Sequence, residues 1–291
     1  MPDPATPPFR KVAIFGTGLI GGSFGLALRR CIPDAQIFGY DREPALEQAR
    51  ARGAIDEAAK DVAGAVRGAD LIYIALPISA AIEMLPEIAR HAALGALITD
   101  ACSTKRAVCR AAGQHFQSGA KFLGGHPMSG KETEGVAGAD ADLFRDATYA
   151  LIGDEQLQED PRAVAFAGLL EKMQARPIWL DAETHDWAAA IISHLPQMAA
   201  IALAEVIAAE TDESGLPVSL AGNGARDALR LAGSPYAMWR DIAVTNSDNL
   251  SRALDRLCQA IDQIRTHLTS RELEKSFAEA NRIHKSLGQP K

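Results

Sequence analysis

The most restrictive feature of this sequence is a glycine-rich turn that follows an unbroken apolar run, VAIFGTGLIGGS. Gly16, Gly18 and Gly21 have the spacing GxGxxG: the first permits a tight turn, the second lets the backbone approach a pyrophosphate, and the third lets helix and strand pack closely. Leu19 and Ile20 belong to the same turn. A helix that begins there offers free N–H groups and a positive dipole to phosphates. We therefore predict a strand–turn–helix unit that binds a dinucleotide.

The end of the next apolar run indicates which dinucleotide. Asp41 follows Gly21 by 20 residues, where a carboxylate would accept hydrogen bonds from the adenine-ribose hydroxyls. The same carboxylate would repel a 2′-phosphate, so NAD is the predicted cofactor. Arg42 is adjacent and would partly offset that repulsion, which keeps NADP open as an alternative. Pro77, at the end of a third apolar run, completes the candidate cofactor-binding residues.

Apolar runs alternate with helical patterns up to about residue 180 and then give way to helices alone. Strands are predicted over residues 11–16, 35–41, 70–77, 96–101, 121–127 and 148–153. Helices are predicted between them over residues 20–31, 44–52, 80–91 and 104–115. Strand–helix alternation implies a parallel sheet with right-handed crossovers. We predict an α/β Rossmann-type N-terminal domain over residues 1–180, with a flexible tail at 1–9, and an all-α C-terminal domain over 181–291.

Charge and cysteine usage exclude several classes of function. The formal net charge is −7, which argues against a general binder of nucleic acid or of anionic membranes. The four cysteines have no CxxC spacing, and the histidines have no HExxH or HxxxH spacing, so no metal site is expected. Reduced thiols and the absence of an apolar leader favour a cytoplasmic protein.

Two apolar helical stretches in the C-terminal half need an explanation. Residues 188–209 are long enough to cross a membrane, but they include His194, Pro196, Gln197 and Glu205. We interpret this stretch as a helix buried on nearly all sides, in a core or in a subunit interface. A stripe of leucines and isoleucines over residues 250–268 recurs at spacings of four and three, which is typical of a helix that faces a core. Both stretches also suit a homodimer.

Polar side chains follow two neighbouring strands at the edge of the sheet where ligands bind. Ser103 follows the strand ALITD, and His126 ends the next strand in GGHPMSG. A histidine at this edge would face the nicotinamide end of a bound dinucleotide. It would take a proton from a substrate hydroxyl while a hydride leaves.

The helical half contributes further candidates. His194 lies in SHLPQ, where Pro196 cannot donate to the carbonyl of Ile192 and should kink the helix. Arg230 lies nine residues before Trp239. The planar fork of an arginine matches a carboxylate, so Arg230 is a candidate anion clamp.

Taken in order, these motifs resemble a known family. GxGLIGGS, ACSTK, GGHPMSGKE, SHLPQ and RDALRLAGSPYAMWRDI are similar to segments of the prephenate/arogenate dehydrogenases of tyrosine biosynthesis. The resemblance runs from about Val12 to about Asn249. It implies a modified Rossmann domain joined to a helical domain that forms a homodimer. It also implies NAD-dependent oxidative decarboxylation of a cyclohexadienol, a small-molecule substrate.

The resemblance implies roles for individual residues. His126 would accept a hydrogen bond or proton from the C4 hydroxyl, and Ser103 would orient the histidine, the hydroxyl and the nicotinamide. The implied substrate-binding residues are His194, Arg230, Glu132 and Trp239.

Several alternatives remain at this stage. No acidic residue lies between Leu229 and Arg240, which favours prephenate over arogenate, because arogenate carries an ammonium group in place of the keto group. Arogenate or dual specificity stays open. A β-hydroxyacid dehydrogenase would need a central catalytic lysine, yet the next lysine after Lys172 is Lys275. A non-catalytic NAD-binding regulator would need neither His126 nor His194.

Overall fold

The N-terminal part of the chain forms one twisted sheet of eight strands. The computed structural model describes residues 9–116, 119–131, 133, 135–211 and 215–287. The strands are β1 (Lys11–Phe15), β2 (Gln36–Tyr40), β3 (Glu57–Ala58), β4 (Leu71–Ile74), β5 (Leu97–Asp100), β6 (Lys121–Pro127), β7 (Thr148–Ile152) and β8 (Arg176–Leu180). They lie side by side in the order β3-β2-β1-β4-β5-β6-β7-β8. The order reverses between β1 and β4, which creates the crevice where such sheets bind ligands.

The alternation of strands and helices predicted a parallel sheet, but one pair of neighbouring strands is antiparallel. β7 runs antiparallel to β6, with His126 opposite Ala150, whereas every other neighbouring pair is parallel. A parallel return requires a long crossover, usually a helix. Within the described part of the β6–β7 connection the regular structure is a single 3₁₀ turn, Val136–Gly138. The chain therefore returns directly. The short strands β3 and β8 were not predicted.

Helices cover both faces of this sheet. They are α1 (Leu19–Cys31), α2 (Glu43–Ala51), α3 (Val62–Val66), α4 (Ile78–His91), α5 (Arg106–His115), α6 (Glu155–Gln158) and α7 (Pro161–Lys172). Buried apolar residues form one cluster on each face, and Phe24 of α1 stacks on Tyr73 of β4 with ring centroids 3.8 Å apart. Phe9, which we assigned to the flexible tail, is instead buried in this core. The rest of that tail, residues 1–8, lies outside the described residues.

The C-terminal part is helical, as predicted. Its helices are α8 (Ala182–Ala189), α9 (Leu195–Glu210), α10 (Leu216–Ser219), α11 (Asn223–Leu229), α12 (Tyr236–Thr245), α13 (Ser247–Thr266) and α14 (Glu272–Leu287). A π-helical turn, Ala190–His194, joins α8 to α9, and a 3₁₀ turn, Arg230–Gly233, follows α11. The π turn lies just before Pro196, where a kink was predicted, and turns of this kind frequently mark functional sites.

The helix predicted to be buried on nearly all sides is buried on one face only. The continuous helical run Ala182–Glu210 is long and apolar enough to cross a membrane by length and composition. Ile192, Leu203 and Val206 are exposed in the single chain. In its first half, however, the polar side chains of His185, Asp186 and His194 are buried, and Asp186 bonds to the N-terminal part of the chain. The face that carries Ile192, Leu203 and Val206 is therefore not part of the core of a single chain.

The stripe over residues 250–268 is likewise only partly covered. Leu250, near the start of α13, is buried, whereas Ile261, Ile264 and Leu268 are exposed. The prediction of a core-facing seam therefore holds for the first turns alone. The exposed part of α13 lies in the same half of the chain as the exposed face of α9.

Among the contacts that hold the helical part against the N-terminal part are two near the start of α4. α4 follows Pro77 and has no capping side chain of its own. Asp241 of α12 supplies one: its Oδ2 accepts from Ser79 N at 2.9 Å and from Ser79 Oγ at 2.6 Å. Beside this cap, Thr104 Oγ1 and Thr245 Oγ1 are 2.7 Å apart. A carboxylate of the helical half thus caps the N-terminus of a helix of the N-terminal half.

Candidate active site

In the glycine turn between β1 and α1, the fold requires glycine at positions 16 and 21 but not at Gly18. Gly16 has φ +84°, and a Cβ added to Gly21 would lie 1.8 Å from Gly16 O. A Cβ added to Gly18, in contrast, would meet no protein atom within 4 Å. The open space beside Gly18 suits a pyrophosphate against the backbone, and the N-terminus of α1 supplies its N–H groups. The loop therefore fits a dinucleotide.

Replacing Gly18 with Ala should leave folding intact and weaken NAD binding by at least about tenfold, because the new methyl group occupies ligand space rather than protein space. Calorimetric titration with NAD and a thermal melt of the apoprotein measure the two effects. Gly168→Ala is the control, because its Cβ also meets nothing but lies on α7. Equal NAD affinities for the two variants would contradict the assignment.

Asp41 also holds the glycine turn itself. Its Oδ2 accepts from Thr17 N at 2.7 Å and from Thr17 Oγ1 at 3.2 Å, while its Oδ1 accepts from Arg42 N at 2.7 Å. Thr17 is fully buried and was not singled out from the sequence. The carboxylate is thus positioned at the end of β2 with its charge beside the turn. This geometry suits a ribose diol and disfavours a phosphate there.

The remaining cofactor candidates lie around the same crevice. Leu19 and Ile20 form the first turn of α1 and are half-buried. Pro77 is exposed and lies between β4 and α4. Because β1 and β4 are neighbours in the sheet, the ends of these strands bring the two groups to one edge.

His126 is buried near the end of β6 and belongs to a chain of hydrogen-bonded side chains. Its Nδ1 lies 2.9 Å from His185 Nε2, and His185 Nδ1 lies 2.8 Å from Asp186 Oδ1. Burial, followed by the electrostatic effects of neighbouring His185, Lys105 and His194, places the pKa of His126 well below its usual value. His126 is therefore a neutral imidazole at pH 7, able to accept a proton.

A buried ion pair fixes the backbone next to His126. Lys105 Nζ pairs with Asp100 and donates to Gly125 O at 2.6 Å. Asp100 also accepts from Cys102 N and from Gly125 N, each at 3.0 Å. These bonds join the ends of β5 and β6. Neither charged residue was predicted to belong to the site, although Lys105 directly follows the Ser-Thr pair of the ACSTK motif.

Ser103 lies half-buried in the loop between β5 and α5. Within the described residues its side chain makes no hydrogen bond, so its hydroxyl is free to bind a ligand. Ser129, in the segment after His126, has a buried Oγ that likewise finds no partner in the described part of the chain.

His194 and Trp239 pack against each other on the helical side. Their ring centroids are 5.8 Å apart at an interplanar angle of 87°. His194 Nδ1 lies 3.2 Å from Asn246 Nδ2, and burial lowers the pKa of His194 to about 4 despite the opposing effect of Asp186. Trp239 Nε1 is buried and has no acceptor among the described residues. The indole N–H is thus available for a ligand.

Of the two remaining candidates, the structure describes Arg230 but not Glu132. Arg230 begins the 3₁₀ turn after α11 and is exposed in the single chain. Gln197, three residues beyond His194, anchors that turn by donating to Leu231 O at 2.9 Å. Glu132 lies outside the described residues, so its predicted role rests on the sequence alone.

Comparison with known proteins decides the family. The model of the prephenate dehydrogenase nucleotide-binding domain matches residues 24–179, and that of the prephenate dehydrogenase dimerization domain matches residues 181–282. The chain belongs to the prephenate dehydrogenase family. The predicted resemblance is thereby confirmed.

Individual relatives agree with this membership. A prephenate dehydrogenase of Lactococcus lactis subsp. cremoris is 35% identical over 283 residues, which cover 96% of this chain and 77% of the relative. The structure of Synechocystis arogenate dehydrogenase is 31% identical with a TM-score of 0.81, covering 95% of this chain and 99% of that one. Prephenate dehydrogenase from A. aeolicus, solved with hydroxyphenyl propionate and NAD+, is 25% identical with a TM-score of 0.84, covering 95% and 96%.

The two buried histidines give this family member an acid-sensitive fold. Their folded-state pKa values lie below those of unfolded histidine, so the unfolded chain binds more protons as the pH falls below about 6.5. Stability present above that pH is lost progressively toward pH 4. From pH 7 to pH 5, the His194 contribution to the free energy of unfolding should fall by about 2 kcal/mol.

Urea unfolding at fixed protein concentration and at both pH values measures this loss. His194→Gln should flatten the pH dependence, whereas His284→Gln, which alters an exposed histidine, should leave it unchanged. Identical pH dependence in all three proteins would show that His194 is not held neutral by burial.

Proposed function

We propose that this protein catalyses the NAD-dependent oxidative decarboxylation of prephenate to 4-hydroxyphenylpyruvate, a step of tyrosine biosynthesis. The observation that carries the proposal is the neutral, buried His126 at the binding edge of the sheet, on the same sheet as a glycine turn that fits NAD. The name and bound ligands of the A. aeolicus relative support it.

The residues divide the chemistry between the two halves of the chain. His126 Nε2 takes the proton of the C4 hydroxyl as the C4–O bond becomes a carbonyl, with Ser103 orienting the hydroxyl. Bound NAD supplies the hydride acceptor for C4. The C1–carboxylate bond then breaks, CO₂ leaves, and the electron pair of that bond enters the ring, which becomes aromatic as the C4 oxygen takes the proton back from His126. Since aromatisation makes this second step strongly downhill, the protein need not protonate the departing carboxylate.

The helical half would bind the parts of the substrate that do not react. We propose that His194 and Trp239 donate hydrogen bonds to substrate oxygens, because Trp239 Nε1 has no acceptor among the described residues. Arg230 would pair with a substrate carboxylate, and Glu132 would line the pocket. The two functional units are residues 1–180, which bind the cofactor, and residues 181–291, which bind substrate and the partner subunit.

We further propose that the protein works as a cytoplasmic homodimer. The exposed apolar faces of α9 and α13 lie in the region matched by the dimerization domain. Covering such faces removes apolar surface from water at roughly 25 cal/mol per Å². The cysteines of the chain are free, in agreement with a reducing compartment.

Arogenate is the second candidate substrate, since one similar structure is an arogenate dehydrogenase. The near-ultraviolet absorbance of reduced nicotinamide, followed with prephenate or arogenate and with NAD or NADP, separates the four combinations. Reduction of NAD with prephenate is the expected result. Activity with arogenate alone would replace the substrate but keep the reaction. Binding of NAD without turnover of either compound would overturn the proposed function.

A further inference from the structure

His126 and His194 are both neutral, but their hydrogen-bond partners differ. These partners determine which ring nitrogen of each histidine carries the proton. A neutral imidazole has one N–H donor and one acceptor nitrogen, and the group bonded to one nitrogen decides the state of the other. For His126 the neighbour is His185, and for His194 it is Asn246. The protons can therefore be traced from the fixed ends of each chain of hydrogen bonds.

The chain of hydrogen bonds that ends at His126 begins at Asp186. The Asp186 carboxylate accepts from the backbone N–H groups of Lys105, at 2.7 Å, and Arg106, at 3.0 Å, so it is held as an acceptor. His185 then donates from Nδ1 to Asp186, which leaves its Nε2 as the acceptor for His126. His126 donates from Nδ1 to His185, which leaves a lone pair on His126 Nε2.

The chain of hydrogen bonds that ends at His194 begins at the Arg106 guanidinium, which can only donate hydrogen bonds. Arg106 Nη2 lies 3.1 Å from Asn246 Oδ1, and Asn249 Nδ2 donates to the same oxygen at 2.9 Å. This fixes the Asn246 amide, whose Nδ2 faces the Asp186 carbonyl at 2.7 Å and His194 Nδ1 at 3.2 Å. His194 Nδ1 therefore accepts, and its proton resides on Nε2.

We propose that His185, Asp186 and Asn246 are positioning residues that give the two histidines opposite polarity toward the substrate, so that His126 Nε2 accepts a proton while His194 Nε2–H donates to a substrate oxygen. This inference rests on the proposed function for the identity of those substrate groups. Both chains of hydrogen bonds converge on residues 105 and 106, directly after the ACST loop. One short segment thus sets the proton positions on both sides of the site.

The wild-type protein tests the assignment without substrate. Long-range ¹H–¹⁵N correlation spectra of the ¹⁵N-histidine-labelled full chain distinguish the two tautomers, and His126→Asn and His194→Gln identify the signals. We expect His126 to be protonated on Nδ1 and His194 on Nε2. The opposite tautomer at either position, or a mixture at His126, would overturn the proposal. This outcome is independent of which substrate is turned over.

Two substitutions at His185 separate positioning from packing. Gln can offer an oxygen to His126 Nδ1, whereas Leu, of similar volume, cannot. We expect His185→Leu to lower kcat with prephenate roughly 10²-fold at unchanged KM, and His185→Gln to keep kcat within several-fold of wild type. Equal losses in the two variants would mean that His185 only fills space. If the wild type does not turn over prephenate, the proposed function fails while the spectra still decide the tautomers.

Asn246→Asp tests the chain of hydrogen bonds that ends at His194, because a carboxylate cannot donate a hydrogen bond to this histidine. The His194 signal should move to the Nδ1-protonated form, and KM for prephenate should rise about tenfold, with kcat much less affected. Asn281→Asp on α14, which changes the charge equally at an exposed position, should leave both unchanged. An unaltered His194 tautomer in folded Asn246→Asp protein would contradict the role assigned to Asn246.

Discussion

Turnover should fall by roughly 10²–10⁴-fold when His126 is replaced by Asn, with KM changed by no more than a few-fold. The loss is expected in kcat because His126 acts on a proton that moves only as the C4 hydroxyl is oxidised. Asn keeps a polar group of similar size but has no basic nitrogen to accept that proton. The burial that keeps His126 neutral means that its lone pair is available throughout the physiological pH range.

Steady-state kinetics with prephenate and NAD check this result. His91→Asn on the exposed end of α4 is the matched control and should retain wild-type kcat. Calorimetric binding of NAD to His126→Asn should match the wild type, because the glycine turn is untouched. A variant with normal kcat would remove His126 from the chemistry.

The largest loss of stability is expected from Lys105→Met, at about 3–5 kcal/mol, because it leaves the Asp100 carboxylate buried without its cation. Asp100 and Lys105 are both fully buried, so water cannot replace the missing partner. Lys105 also donates to Gly125 O, next to His126. Loss of the pair should therefore lower kcat in whatever fraction of the protein remains folded.

Chemical unfolding of Lys105→Met and of the double variant Lys105→Met/Asp100→Asn measures the effect. The double variant should recover part of the loss, because the unpaired charge is then absent. Lys275→Met, which breaks the exposed pair of Lys275 with Glu272, is the matched control and should cost far less stability than Lys105→Met, because water and salt screen an exposed pair. Similar costs for the buried and exposed lysines would refute the argument.

Much of the N-terminal fold follows from local pattern. The glycine turn and six unbroken apolar runs located β1, β2, β4, β5, β6 and β7 to within a few residues. The direction of β7 was missed because it depends on the connection before it, whose described residues form no crossover helix, rather than on the strand itself. β3 and β8 were missed because two residues and a proline-containing edge segment give weak strand patterns.

The site divides in the same way. His126, Ser103, His194 and Trp239 were found because they lie in distinctive motifs, although their roles remain predictions. His185, Asp186 and Asn246 were missed because each acts through a partner at least 50 residues away in the chain, apart from the His185–Asp186 contact itself. The adjacent His-Asp pair just before an apolar helix was the available signal. Spacing along one chain does not reveal which of these groups meet.

The cap that Asp241 provides to α4 has a consequence for motion. If the two halves hinge apart, α4 loses its cap, so the first turn of that helix and the closed arrangement are a single cooperative unit. An N-cap of this kind contributes about 0.5–2 kcal/mol, which biases the hinge toward closure. Because the amide of Ser79 donates to Asp241 of the other half, its rate of solvent exchange would report how often this contact between the halves breaks.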